Sequence, residues 1–273
     1  MIFINIEDIK AKWSFKVSNK NASVDMWNSM AESFGSHTLP TFEDNNFLKL
    51  IEKNKMIDNN SIVLDVGCGA GSYALTLAAH CKKVIGIDLS PRMIEIAKER
   101  ALKENITNVE FFCADWHEMD LSKKGYEENF DLVFAHMTPA VQSWDTFLKL
   151  SQASRGWCAL SKPTRRVDPV SDEVKKLVGI SEKRESSDED IVYAFELLWS
   201  KGICPMLEYE KQKWNMKKNF EEAYGLYVNR LKTYRKLSLE EEEKVVAYLK
   251  SIAKDGFICE DVDTTITTMV WHI

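Results

Sequence analysis

The stretch Ser61-Ile-Val-Leu-Asp-Val-Gly67-Cys-Gly-Ala-Gly71, followed by Val84-Ile-Gly-Ile-Asp88-Leu-Ser90, decides the fold. Residues 62–66 are apolar at nearly every position, as in a strand covered by helices on both faces. Three glycines then recur at every second position, so no Cβ forbids positive φ or blocks a close ligand. Residues 72–80 read as an apolar helix and 84–87 as a second buried strand that ends on Asp88. A carboxylate about twenty residues beyond a glycine turn is placed to meet a ribose.

Downstream, Ser90 caps a helix with Pro91 at its first position. Met93, Ile94, Ala97, Ala101 and Leu102 form its expected buried stripe. Further strands are expected at 109–113, ending in Ala114-Asp115-Trp116, at 130–135, ending at His136, and at 157–160. Repeated βα units predict an α/β fold, a doubly wound parallel sheet. Right-handed crossovers then bring the Gly67 turn, Asp88, Asp115 and His136 to one crevice.

Upstream, Trp27, Met30, Ala31 and Phe34 share a helical face that Gly35 is expected to close. A second helix is expected over 43–53, with Phe47, Leu48 and Ile51 inward. So many aromatics argue for a packed segment over residues 1–60, broken by a polar run at 18–21. From Lys162 the chain turns polar, with a charged loop at 181–190 and a helix at 191–201 closed by Gly202. Weak strand character follows at 205–214. Asn219-x-x-Glu222 and the capping box Ser238-x-x-Glu241 open two helices, the second expected to end at Gly256. Residues 264–273 are rich in β-branched side chains and read as a strand.

Composition narrows the function. The 273 residues carry a net charge of −6, which argues against a large phosphate-binding surface. None of the six cysteines forms a C-x-x-C pair, so they read as reduced thiols and no metal site is expected. Glu7 and Asp8 interrupt the N-terminal apolar stretch, a poor secretory signal. No apolar run approaches the roughly 18 residues of a membrane span. A cytoplasmic protein is expected, as a monomer or homodimer.

The glycine pattern separates cofactors. Hydride-transfer enzymes show G-x-G-x-x-G, whereas here Ser72 stands three places after Gly69. Asp65, two residues before Gly67, would repel a pyrophosphate and suits a cationic or zwitterionic ligand. Leu64-Asp-Val-Gly-Cys-Gly-Ala-Gly71 resembles the first motif of the class I S-adenosylmethionine-dependent methyltransferases. The likeness extends through Ile87-Asp-Leu-Ser90, Cys113-Ala-Asp-Trp116 and Phe130-Asp-Leu-Val-Phe134, over roughly residues 60–161.

The resemblance implies S-adenosyl-L-methionine as cofactor. It places Asp65, Gly67, Cys68, Gly69 and Gly71 at its amino-acid part, Asp88 and Leu89 at the ribose, and Asp115 and Trp116 at the adenine. It also implies a seven-stranded sheet in the order 3-2-1-4-5-7-6 with strand 7 antiparallel. Residues 1–60 would form a helical lid, with Trp27 over the cofactor, and 61–273 the methyltransferase domain with a helical insertion at 219–256. His136 ends strand four beside the expected methyl position, as a cofactor neighbour and the candidate general base. The Asn/Asp-Pro-Pro-Tyr/Phe signature is replaced by His136-Met-Thr-Pro139, which leaves the acceptor atom open among O, N, S and C. A small-molecule acceptor is expected. A non-catalytic cofactor sensor, an RNA methyltransferase and a nicotinamide-dependent oxidoreductase are the other readings.

Overall fold

The structure, a computed structural model, describes residues 5–15, 19–182 and 186–273. Residues 1–4 and parts of the expected polar run at 18–21 and charged loop at 181–190 lie outside these. Seven strands, β1 (Ile62–Val66), β2 (Lys83–Asp88), β3 (Val109–Cys113), β4 (Phe130–His136), β5 (Ser154–Val167), β6 (Met206–Asn219) and β7 (Phe257–His272), form one sheet. Their order is β3-β2-β1-β4-β5-β7-β6. β1 to β5 run parallel, and β7 pairs antiparallel with both β5 and β6. The expected order and the antiparallel strand are both present.

Helices cover both faces. α4 (Ser72–Ala78) and α5 (Pro91–Lys103) follow the first two strands, while α6 (Leu121–Lys124) and α7 (Trp144–Ala153) follow the next two. α1 (Ile6–Lys12), α2 (Lys20–Ser36) and α3 (Asn46–Lys53) precede the sheet. α8 (Pro169–Leu177) and α9 (Asp188–Ser200) lie between β5 and β6, and α10 (Phe220–Tyr234) and α11 (Leu239–Ile252) between β6 and β7. One core cluster joins Leu64, Val66, Phe147 and Trp271; a second joins Val63, Leu75, Phe111 and Phe134. The two therefore use alternate residues of β1 and lie on opposite faces of the sheet. Met26 of α2 belongs to a third cluster with Ala223, Tyr227 and Val245, so the N-terminal segment packs on the helices inserted late in the chain.

Several local expectations are corrected. Gly35 does not end its helix, since α2 continues to Ser36. A Cβ on Gly35 would sit 2.6 Å from Ile96 Cγ2, so this glycine permits α2 to approach α5. Leu102 is 78% exposed rather than part of the α5 stripe. α4 stops at Ala78 instead of His80, and α11 ends at Ile252, with Gly256 at φ +79° in the turn before β7. β5 runs seven residues beyond Leu160, to Val167. Its polar residues are buried against those of β7: Ser161 Oγ meets Thr268 Oγ1 at 2.9 Å, and Thr164 Oγ1 meets Thr267 Oγ1 at 2.7 Å. Cross-strand hydroxyl pairs of this kind replace the apolar pattern that marks an ordinary buried strand.

Candidate active site

The ends of β1 to β4 open into a cavity of about 1050 Å³. Gly67, Cys68, Gly69, Asp88, Leu89, Asp115, Trp116 and His136 all line it. Trp27 lines it from α2, together with Met30 and Phe34, and Phe47 lines it from α3. Trp27 and Phe34 meet edge to face at 6.2 Å. Asp65 and Gly71 are not among its lining residues.

Each glycine of the loop has its own reason. Gly67 adopts φ +73°, and a Cβ there would lie 1.9 Å from Thr138 Oγ1. Gly71, at φ +79°, is the N-cap of α4, and its absent side chain makes room for Phe111 at 2.8 Å and Ala97 at 3.1 Å. It therefore serves packing. Gly69, at φ +52°, finds only Met93 Sδ at 3.9 Å, so its backbone is open to a ligand.

Asp88 organises the loop. Gly69 N–H donates to its Oδ2 at 2.9 Å and Ser90 N–H to its Oδ1 at 2.8 Å. A carboxylate has about four lone-pair sites, so two remain for a diol. Burial raises the Asp88 carboxyl above its ordinary range, against the pull of these N–H groups. Asp65 is 3% exposed, and burial, then the charge of Asp88, pushes it well up, with the Ala74 N–H opposing. Burial likewise keeps the Cys68 thiol neutral. Two buried acids beside a glycine loop suit a cationic ligand and oppose an anionic one.

Asp115 accepts His117 N–H at 2.9 Å and pairs with Lys20 of α2 at 2.7 Å. Lys20 also reaches Glu118 at 2.8 Å, and its bonds to the two acids raise its pKa. The Trp116 indole is committed elsewhere: it is 3% exposed and donates to Thr146 O at 2.9 Å. His136 lies between Phe47 and Tyr73, with ring centroids 4.4 and 4.3 Å away. Burial holds its imidazole down to about 3, and its buried Nδ1 has no partner.

The sequence reading missed other walls of the site. Tyr73, whose hydroxyl accepts Asn45 Nδ2–H at 3.1 Å, stands next to His136. β6 contributes Glu210, Gln212 and Trp214 in a hydrogen-bonded chain: Gln212 Nε2–H donates to Glu210 at 2.8 Å and Trp214 Nε1–H donates to Gln212 at 2.7 Å. Alternation along 210–214 was the available signal, since every second residue points inward. Lys162 and Thr138 were also missed. Lys162 is 2% exposed, and its ammonium donates to Thr138 O at 2.9 Å and Val141 O at 2.5 Å. It thereby fixes the loop carrying Met137, which has φ +53°.

Comparison with known proteins fits this geometry. The family described as a methyltransferase domain matches residues 57–233. The chain belongs to the class I S-adenosylmethionine-dependent methyltransferases. It is an enzyme of this family, with S-adenosylmethionine as cofactor. A probable ribosomal RNA small subunit methyltransferase A of Methanosphaera stadtmanae is 34% identical over 104 residues, covering 38% of this chain and 36% of that protein. The methyltransferase thus spans about a third of that relative's length.

Two solved structures share the fold. A putative methyltransferase from Bacillus halodurans superposes with a TM-score of 0.52 at 18% identity, over 84% of this chain and 99% of that one. A Haemonchus contortus phosphoethanolamine N-methyltransferase 2, in complex with phosphomonomethylethanolamine and S-adenosylhomocysteine, gives 0.52 at 18% identity, over 98% of this chain and 60% of that one. Among the described residues, no helix of the methyltransferase is long and apolar enough to cross a membrane, and no cluster of His, Cys, Asp or Glu forms a metal site.

Proposed function

We propose that the enzyme moves the methyl group of S-adenosylmethionine to an O, N, S or C atom of a small molecule by in-line displacement, in the cytoplasm. The carrying observation is the cavity: one space of about 1050 Å³ joins the Gly67 loop to the inner face of β6, with α2 and α3 forming further walls. That volume lies near the upper end of small-molecule sites and suits a cofactor together with a small acceptor. Residues of the N-terminal segment act as a lid, with Trp27 over the cofactor. S-adenosylmethionine, when bound, supplies an activated methyl on its sulfonium. Asp65 stands buried behind the loop that meets the amino-acid part of the cofactor, Gly69 gives it backbone access, and Asp88 receives the ribose hydroxyls. Asp115 takes the adenine amino group in exchange for Lys20. Because the Trp116 ring is held by Thr146, its contribution at the adenine is at the cavity edge.

The protein's chemical task is alignment, for which oriented reactants reach effective molarities of order 10⁵–10⁸ M. His136 is kept neutral, so it acts as a hydrogen-bonding partner at the acceptor and is a weak base. Burial that depresses a histidine gives a definite sign. Between pH 6.5 and about 3 the unfolded chain binds the proton and the folded one does not. Stability therefore falls as pH drops below 6.5, by up to about 1.4 kcal/mol per unit. Urea unfolding of wild type and His136→Gln at pH 7.5 and 5 reads this: the variant should lose less stability on acidification. Equal losses would show that His136 titrates freely.

Asp88→Ala should weaken S-adenosylmethionine binding by about 1.5–3 kcal/mol, the scale of hydrogen bonds to a charged group. Unchanged calorimetric affinity in a folded variant would remove Asp88 from the cofactor site. The acceptor class is tested with labelled cofactor and two substrate pools, a metabolite extract and ribosomal RNA. The RNA reading is favoured by the Methanosphaera relative, whose match spans 104 residues, whereas the cavity lining runs from Phe15 to Thr268. Label is expected in a small molecule. Label confined to RNA would overturn the proposal, and cofactor binding with no transfer to either pool would favour a sensor.

A further inference from the structure

Two arginines line the active-site cavity beyond the cofactor loop, and a backbone irregularity puts one of them there. Arg166 and Arg230 both border the cavity, and their side chains are only 11% and 15% exposed. Along β5, Thr164 pairs with Thr265 and Val167 with Asp263. β5 therefore advances three residues while β7 advances two, which is a β-bulge. Arg165 within it has φ +50°, a conformation rare for a side chain of its size. In an unbroken strand, Pro163 and Arg165 would share a face. With the extra residue, Pro163 and Arg166 line the cavity instead, and Arg165 points out, 84% exposed, to Asp188 at 2.8 Å.

Arg166 shares its acid with a second arginine. Its Nη2 and Arg230 Nη1 donate to the same oxygen of Asp168, at 2.6 and 3.1 Å, and Arg230 Nη1 also donates to Ser171 Oγ at 3.1 Å. Lys218 faces the same carboxylates. The second acid, Glu260, accepts the Tyr227 hydroxyl and, at 2.6 Å, Val170 N–H. Burial and then neighbouring Asp168 push Glu260 up to about 7, so it carries only part of a charge near neutrality. Arg166 Nε is buried and has no acceptor, while the guanidinium lies over the Trp214 ring at 5.1 Å. Of the cavity-lining acids of β6, Glu208 pairs with Lys53, and Glu210 accepts a bond from the neutral Gln212 amide.

We infer that the methyl acceptor bears an oxyanion, a carboxylate or phosphate, held by Arg166 and Arg230. The inference rests on the methyltransferase reading and names the substrate class of the same site. Guanidinium forks suit these planar or tetrahedral oxygens and bind them through charge-assisted bonds. Ser161 pairs with His136, and Arg166 lies five residues further along β5, about 15 Å between backbones at ~3.3 Å per residue. The anionic group is thus remote from the reacting atom and acts by positioning.

The test begins with calorimetric binding of S-adenosylhomocysteine. The complex is then titrated separately with inorganic phosphate and with acetate, using wild type, Arg166→Gln, Arg166→Lys and Arg165→Gly. At least one anion should bind wild type and bind Arg166→Gln at least tenfold more weakly. Arg166→Lys should fall between them, and Arg165→Gly should match wild type. S-adenosylhomocysteine affinity should stay within twofold throughout, which also verifies folding. Preference for phosphate or acetate names the oxyanion. Intact S-adenosylhomocysteine binding with no anion affinity that depends on Arg166 would overturn the proposal. Failure of wild type to bind S-adenosylhomocysteine would strike the methyltransferase reading instead, and titration of the cofactor-free protein would still decide the arginine site.

Discussion

Gly67→Ala should abolish measurable S-adenosylmethionine binding. At φ +73° an alanine is strained, and its Cβ would fall 1.9 Å from Thr138 Oγ1 and 2.7 Å from Thr138 Cβ. The left-handed conformation alone costs roughly 1–2 kcal/mol. The clash adds to it, because Thr138 cannot withdraw while Lys162 grips its carbonyl at 2.9 Å. The expected result is a loss of about 3 kcal/mol of stability and a cofactor affinity lowered at least about 100-fold, or 2.7 kcal/mol. Adding Thr138→Gly should restore part of the stability, since it removes the clash and leaves the strain. Wild-type calorimetry from the single variant would show that the loop does not need Gly67.

Lys162→Met should be nearly as damaging, although Lys162 is not offered as a substrate contact. The ammonium is buried on β5, donates to Thr138 O and Val141 O, and faces Asp190. Burial lowers the Lys162 pKa and raises that of Asp190, and each charge offsets the other's shift. Removing the ammonium leaves the Thr138 and Val141 carbonyls without their donor, at about 1–3 kcal/mol each. A urea titration should place Lys162→Met about 3 kcal/mol below wild type. Lys162→Met combined with Asp190→Asn should recover part of that loss. An unchanged midpoint in the single variant would mean that the 138–141 loop holds its shape without the lysine.

The parts legible in the sequence were those set by short-range chemistry. β1 and β3 were bounded correctly because apolar residues and turn signals frame them. Ser90-Pro91, Asn219-x-x-Glu222 and Ser238-x-x-Glu241 marked helix starts, and the structure shows all three caps. The far half of β5 was illegible because Lys162 and Thr164 satisfy their polarity through partners distant in sequence. α8 was overlooked although Pro169 stands at its first turn, for its buried face rests on a late helical cluster. The cofactor loop could be read from glycine spacing. The rest of the cavity lining could not, since Tyr73, Trp214, Arg166 and Arg230 come from four separate elements, and only Trp214 and Arg166 are related by the β5–β7–β6 register.

Packing of α2 against α10 has a consequence for how the protein is made. Met26, Trp27 and Met30 of α2 belong with Ala223 and Tyr227 of α10, and a Cβ on Gly225 would already touch Ser29 at 3.4 Å. At translation rates of roughly 5–20 residues per second, about 10–40 s pass between synthesis of residue 20 and residue 220. During that interval β1 to β4 can assemble with their own helices, whereas the Met26 face of α2 has nothing to rest on. The nascent chain therefore carries one uncovered apolar stripe on α2 until α10 is made, while the opposite stripe can already rest on α5.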